Sequence, residues 1–373
     1  ERETGTRVGL SGALEVVAER SGKRGGMTED QPALREVERY MRAVIDRAES
    51  SGMLDDRAAL PLYRVLAYHL GWMDEQFRPA RVDGGKRIRP LLCLRCCEAA
   101  GGDPSAAAPV GAAIELLHNF TLVHDDIQDR SRTRRHRPTV WALWGEAQAI
   151  NAGDAMFALS QLALLEVADR LPASSVALLL RAFNETTLRI VEGQVLDLGF
   201  EDRPSVSVDE YLTMIRGKTA ALTAFAAWSG ALVAGADPER LERFRLFGEA
   251  LGLGFQIRDD YLGIWGRREE TGKEPADDIR RRKKSLPIVL LLESMTPPDR
   301  ELLDSLWSGP EVSDQAVEQV LELLERYGVR ERVRAEVARL HQEAHSLLAE
   351  AAAPGPARDA LAALLDRLAT RSG

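Results

Sequence analysis

The stretch from Gly111 to Pro138 reads GAAIELLHNFTLVHDDIQDRSRTRRHRP. No Pro or Gly interrupts it between Gly111 and Asp129. Ile114, Leu117, Phe120 and Leu122 recur at near-helical spacing, which predicts a helix up to Asp129. On that helix His118, Asp125 and Asp129 fall within one narrow stripe, and Asp126 lies three residues before Asp129. Three carboxylates therefore crowd one end of an apolar helix. Like charges at i,i+4 weaken an isolated helix by a few tenths of a kcal/mol. A divalent cation removes that conflict, and magnesium, a hard ion, takes carboxylates together with substrate phosphates. A solvated acidic helix end is the competing reading of this motif taken alone.

The rest of the chain suits a helical protein. Its 373 residues, 45% of them hydrophobic, can bury a sizeable core. From Gln31 onward, amphipathic or apolar helical patterns alternate with short breaks. These are Gly101-Gly102-Asp103-Pro104, Glu201-Asp202-Arg203-Pro204, Gly235-Ala236-Asp237-Pro238 and Thr296-Pro297-Pro298. Alternating β-branched runs are scarce, so the expected class is all-α. Residues 1–30 are Gly-rich and mixed in charge, which predicts a disordered tail, and 31–373 are read as one domain. Thr219 to Ala236 carries no charge but is rich in small residues; a buried central helix is expected, and no transmembrane segment. A net charge of −9 argues against non-specific nucleic-acid binding. Cys93, Cys96 and Cys97 form neither a disulfide framework nor a zinc pattern. Buried thiols in a reducing, cytoplasmic setting are expected.

Five further clusters stand out. Gly84-Gly85-Lys86-Arg87-Ile88-Arg89-Pro90 sets glycines and cations at an expected helix start, which suits an anion. Gly193-Gln194-Val195-Leu196-Asp197 and Met214-Ile215-Arg216-Gly217-Lys218-Thr219 come next. In Gly254-Phe255-Gln256-Ile257-Arg258-Asp259-Asp260-Tyr261-Leu262-Gly263 a second carboxylate pair follows an apolar helix, with Gln256 on the same face. Gly272-Lys273 precedes Asp277-Asp278 and the basic run Arg280 to Lys284. Only six of the 49 basic residues are lysine, and five of those six, Lys86, Lys218, Lys273, Lys283 and Lys284, lie in these clusters. Lysine is a compact point charge and arginine a planar fork. The usage points to a diphosphate site with metal on one side and cations on the other.

The ordered set resembles the trans-isoprenyl diphosphate synthase (polyprenyl synthetase) family, from roughly residue 35 to 350. Asp125-Asp126-Ile127-Gln128-Asp129, with Arg134-Arg135-His136-Arg137-Pro138-Thr139 behind it, matches the first aspartate-rich motif. The GGKxxRP, GQxxD, KT, FQxxDD and GK motifs are also present. The resemblance implies the isoprenoid synthase fold, a helical bundle around a central apolar cavity. It implies condensation of isopentenyl diphosphate with an allylic diphosphate, and a homodimer. Asp125 and Asp129 would bind magnesium, with Asp126 supporting them, and Asp259 would bind it from the opposite wall. The resemblance also implies three magnesium ions per active site when substrate is bound. Arg134, Lys218 and Lys273 would contact the allylic diphosphate, lined by Thr219, Gln256, Gln194 and Asp197. Lys86, Arg89, His118 and Arg135 resemble the isopentenyl diphosphate pocket, and Lys283 matches the lysine of the later basic segment.

One departure is that the second motif ends in Gly263, where many relatives carry aspartate. Asp259 remains, so activity is expected to survive. Phe120 and Thr121, five and four residues before Asp125, resemble the floor that stops chain growth in archaeal-type geranylgeranyl diphosphate synthases. The implied product is C20, with farnesyl or longer products as alternatives. A class I terpene cyclase would need a hydroxyl where Leu188 stands between Asn184 and Glu192. A non-catalytic subunit would be expected to lose the aspartates that this chain keeps.

Overall fold

The computed structural model describes residues 30–52, 61–82, 85–267 and 274–370. The expected tail therefore lies outside the described residues except for Asp30, and so does Lys273. The described chain is all-α apart from one two-residue hairpin and an isolated bridge. It forms two compact units, divided between Leu180 and Arg181.

The first unit comprises α1 (Gln31–Ser51), α2 (Leu62–His69), α3 (Ile88–Ala99), α4 (Ala108–Gln128), the strands β1 (Thr133–Arg134) and β2 (Arg137–Pro138), α5 (Val140–Trp144) and α6 (Glu146–Leu165). The helix read from the quoted stretch is α4, and it is the unit's centre, packed on α6, α1 and α3. Every residue from Ala108 to Leu117 is buried. A helix apolar on all sides must lie inside a core. From His118 onward the burial breaks, and Asp125 is half-buried while Asp129 is exposed. Residues Pro104–Gln128 are long and apolar enough to cross a membrane by composition, but 72% of the 18-residue apolar window within them is buried in the protein. The stretch is a core helix, held by packing. All three cysteines are free and buried in α3, and burial pushes the Cys97 thiol up to about 12.

Helix α7 (Ala173–Glu201) runs across the division. The second unit continues with α8 (Val208–Ile215), a π-helical turn (Arg216–Ala220), α9 (Ala221–Val233), α10 (Pro238–Trp265), α11 (Asp277–Arg280), α12 (Leu286–Ser294), α13 (Pro297–Leu306), α14 (Asp314–Arg326), α15 (Val329–Ala351) and α16 (Pro356–Thr370). Its centre is α10, packed on α15 and α9. The predicted breaks act as helix starts. Asp237 accepts from the backbone N–H of Glu239 and Arg240, with Pro238 in the first turn. Ser207 and Glu210 close a reciprocal capping box on α8. The uncharged stretch from Thr219 is divided between the π turn and α9, which is largely buried.

Candidate active site

In the first unit, the carboxylate end of α4 opens beside the β1–β2 hairpin. Asp126 is turned inward, 1% exposed. It lies on the buried stripe Leu116, Asn119, Val123, Asp126, whose spacing is that of one helix face. Arg134 Nε and Nη2 both approach Asp126 Oδ1 at 2.9 Å, while Asp126 Oδ2 is buried without a hydrogen-bond partner. Burial raises the Asp126 carboxyl above its usual range, against the pull of Arg134. Asp125 and Asp129 lie on the other stripe, toward solvent. Asp126 is therefore the anchor of the hairpin rather than an outward carboxylate.

The hairpin's two turn residues, Arg135 and His136, both have positive φ, 51° and 61°. A two-residue turn that matches strand twist requires this, and it is costly for residues with side chains. The strained turn carries Arg135 against Gly85, where a Cβ would lie 2.5 Å from Arg135 Nη2. Gly85 itself has φ 96°, a backbone conformation that favours glycine. Nearby, the Arg89 guanidinium lies 3.2 Å from His118 Nε2. Guanidinium only donates, so that nitrogen accepts and the imidazole is neutral. Burial first, then Arg89, Arg135 and Arg134, holds His118 well below the usual imidazole range. His69 was not singled out from the sequence, where it ends an ordinary short helix. Burial and the charges of Arg135 and Arg134 push it down to about 3. Two neutral imidazoles among guanidiniums mark a region of positive potential, suited to an anion. Lys86 is exposed at its edge.

Phe120 is half-buried, edge-on to His124 with centroids 4.9 Å apart and tilted against Phe157 at 5.4 Å. Thr121 is also half-buried and donates its hydroxyl to the His118 carbonyl at 2.8 Å.

In the second unit, glycines explain two of the motifs. A Cβ on Gly193 would lie 2.2 Å from the Lys218 backbone nitrogen, and one on Gly217 would lie 2.6 Å from the Arg189 carbonyl oxygen. Helix α7 and the π turn thus touch backbone to backbone, which no side chain would allow. That contact sets Lys218 Nζ 2.5 Å from Asp197 Oδ2. π turns inside helices commonly mark functional sites. From the same turn, the buried Thr219 hydroxyl donates to Gln256 Oε1 at 2.8 Å, and Gln256 Nε2 donates to Asp260 Oδ1 at 3.0 Å.

The second carboxylate pair repeats the logic of the first. Asp259 is exposed, and Asp260 is 2% exposed. Asp260 lies on the buried stripe Leu253, Ile257, Asp260, Ile264 of α10. Its Oδ2 accepts from the Tyr211 hydroxyl at 2.5 Å and the Leu286 backbone N–H at 2.9 Å. Lys283 Nζ lies 3.8 Å from Asp260 Oδ1. Burial opposes the Lys283 charge, but the carboxylates of Asp260, Asp278 and Asp197 outweigh it and hold the ammonium above its usual value. Tyr211 carries no motif signal, and Asp278, singled out only as part of the Asp277-Asp278 pair, owes its place beside Asp260 and Lys283 to the packing.

Gly263 has a physical reason. A Cβ there would lie 2.5 Å from Asp278 Oδ2, and Asp278 is buried. The missing third aspartate corresponds to a place that another carboxylate already crowds.

The outward donors Asp125, Asp129 and Asp259 offer only carboxylate oxygens, the donor set that a hard ion such as magnesium takes.

Residues 71–324 match the polyprenyl synthetase family model. The chain is 45% identical over 289 residues to a (2E,6E)-farnesyl diphosphate synthase of Mycobacterium tuberculosis, covering 76% of this chain and 79% of that protein. It is 43% identical over 250 residues to a geranylgeranyl diphosphate synthase of the same organism, covering 67% and 70%. The crystal structure of a polyprenyl synthetase from Streptomyces coelicolor A3(2) superposes with a TM-score of 0.80 at 37% identity, covering 91% of this chain and 98% of that one. The chain therefore belongs to the polyprenyl synthetase family of trans-isoprenyl diphosphate synthases, with the all-α fold of that family.

Proposed function

We propose that the chain is a magnesium-dependent prenyltransferase that adds isopentenyl diphosphate to an allylic diphosphate and stops at a short all-trans product, geranylgeranyl diphosphate (C20). The single observation behind the site assignment is the repeated pattern in the two carboxylate pairs. In each, the first aspartate is the more accessible, Asp125 half-buried and Asp259 exposed, and the second is buried and tied to the fold.

Asp125, Asp129 and Asp259 would hold the magnesium ions, whose positive charge stabilises the departing diphosphate. Lys218, steered by Asp197, supplies a fixed cation to the allylic diphosphate, and by resemblance to the family Arg134 and Lys273 would contact the same group. Gln194, Thr219 and Gln256 line and brace that side, and Lys283 adds charge there. Lys86, Arg89, Arg135 and neutral His118 bind isopentenyl diphosphate. Ionisation of the allylic C–O bond leaves a carbocation, and these preorganised charges favour that step because they need no reorganisation. The isopentenyl double bond attacks C1 of the cation, forming the new C–C bond. Loss of a proton from the adduct then restores a double bond, with diphosphate the nearest acceptor. Apolar walls exclude water that would trap the cation.

Large exposed apolar side chains support a homodimer. On α7 these include Leu188, Val191 and Val195, and on α6 Ile150, Leu162 and Leu165. Each set follows helical spacing, as a face covered by a second copy would.

Phe120 supports the chain-length reading. Its ring is only half-buried, so it is not an ordinary core residue. A C15 product is the second reading, favoured by the aromatic pairing of Phe120 with Phe157. Chromatography of the dephosphorylated products distinguishes them. Phe120→Ala should lengthen the product by at least one C5 unit; unchanged lengths in a folded, active variant would remove Phe120 from the floor.

A further inference from the structure

Helices α15 and α16 gather a second set of metal-binding side chains, none of them from the carboxylate motifs. His341 and His345 stand one turn apart on α15, their ring centroids 4.6 Å apart and their planes at 83°. Asp366 on α16 faces both. Its Oδ1 lies 3.1 Å from His341 Nε2 and 2.8 Å from His345 Nε2. One donor atom from each residue falls within 4.8 Å of the others. The two imidazoles are 30% and 36% exposed and the carboxylate 56%, so an ion can reach them without any opening of the fold.

One histidine would be enough to clip α16 to α15 by a hydrogen bond. Two imidazole nitrogens converging on a single carboxylate oxygen suit a shared cation better. Tetrahedral zinc, with ligands at about 2.0–2.1 Å, separates its donor atoms by about 3.3 Å. The observed separations from Asp366 fall within half an ångström of that, a difference that rotation of exposed side chains supplies. Histidines four residues apart on one helix face are a recurring way to present two zinc ligands. Three protein ligands leave a fourth position for water.

We propose that His341, His345 and Asp366 form a site for a borderline divalent transition-metal ion, zinc by preference, which staples α16 to α15. Imidazole separates this site from the oxygen-only donors of the active site, because nitrogen ligands favour zinc over magnesium. The staple has something to hold. The inner face of α16 buries Leu361, Leu364, Leu365 and Leu368, and Arg258, next to Asp259 on α10, donates to the Leu368 carbonyl at 3.2 Å.

The test uses the full chain, stripped with a chelator and kept in excess magnesium so that the carboxylate walls are occupied. Calorimetric titration with zinc should show one equivalent bound per chain, and zinc should raise the thermal midpoint. His345→Ala and Asp366→Asn should each weaken that binding by at least about tenfold and abolish the rise, while magnesium-dependent turnover stays at the wild-type level. Asp125→Ala and Asp259→Ala should keep the zinc site intact. Cobalt in place of zinc should give the visible band of a tetrahedral or five-coordinate ion, without a thiolate charge-transfer band. Zinc binding that survives His345→Ala, is lost in Asp125→Ala or Asp259→Ala, or shows thiolate ligation would overturn the proposal. So would the absence of any zinc binding above the magnesium background.

Discussion

Asp125 and Asp126 are neighbours in sequence with opposite duties, and substitution should separate them. Asp125→Ala and Asp129→Ala relieve repulsion on α4, so stability should hold while turnover falls steeply. Asp126→Ala removes the partner of Arg134 and leaves a half-buried guanidinium unpaired, which should cost about 2 kcal/mol. Urea midpoints and turnover measured together test this; a destabilised Asp125→Ala, or an Asp126→Ala of wild-type stability, would reverse the roles. Gly263 is the other decisive residue. Restoring the common aspartate would drive a side chain into Asp278 and set two carboxylates together in a buried place. Gly263→Asp should therefore lower both stability and turnover, with overpacking alone costing about 1–3 kcal/mol. A more active Gly263→Asp enzyme would show that the natural motif is impaired. The inward position of Asp126 and Asp260 was legible in principle. Each continues a buried stripe, Leu116-Asn119-Val123 in one helix and Leu253-Ile257 in the other. Motif matching treats the aspartates as a set and overlooks that continuation. Asp278 was not legible as a neighbour of Gly263, because nothing in the fourteen intervening residues fixes their contact.

At the scale of elements, the motif glycines place charge by bringing backbones together. Gly193 on α7 and Gly217 on the π turn each leave room only for hydrogen. Their sequence signal, glycine beside glutamine or lysine, marked the location but not the reason, since the contact joins segments more than twenty residues apart. Gly193→Ala should force α7 from the π turn and separate Lys218 from Asp197. The allylic substrate should then bind less tightly and turn over more slowly, while its effect on isopentenyl diphosphate, assigned to the first unit, should be small. Initial-rate kinetics with each substrate varied in turn reads that split. Equal losses for both substrates would mean a general disturbance of the fold. The β1–β2 hairpin does the corresponding work in the first unit, holding Arg134 on Asp126 and Arg135 at Gly85 through a turn that costs conformational strain.

Across the whole molecule, the all-α class and the helix breaks were readable because Asp-Pro and Ser-x-x-Glu signals cap helices locally. The acid response was not readable, because it comes from residues that meet only in the fold. An unfolded imidazole takes up a proton near the ordinary value of 6.5, whereas folded His69 does so only near 3. Folded His118 is likewise held well below the ordinary value. Between those limits the unfolded chain binds more protons. The stability these histidines contribute is thus fully present above about pH 6.5 and is lost as pH falls toward 3. The urea midpoint should drop between pH 7.5 and 5.5, a window above most carboxylate titration. His69→Gln should flatten that drop, since the variant has no imidazole to protonate in either state. Inorganic diphosphate with magnesium should also reduce it, by neutralising the guanidiniums that add to burial in keeping the imidazoles uncharged. An equally steep drop in His69→Gln, with diphosphate without effect, would mean that the acid sensitivity arises elsewhere and that these guanidiniums do not receive the anion.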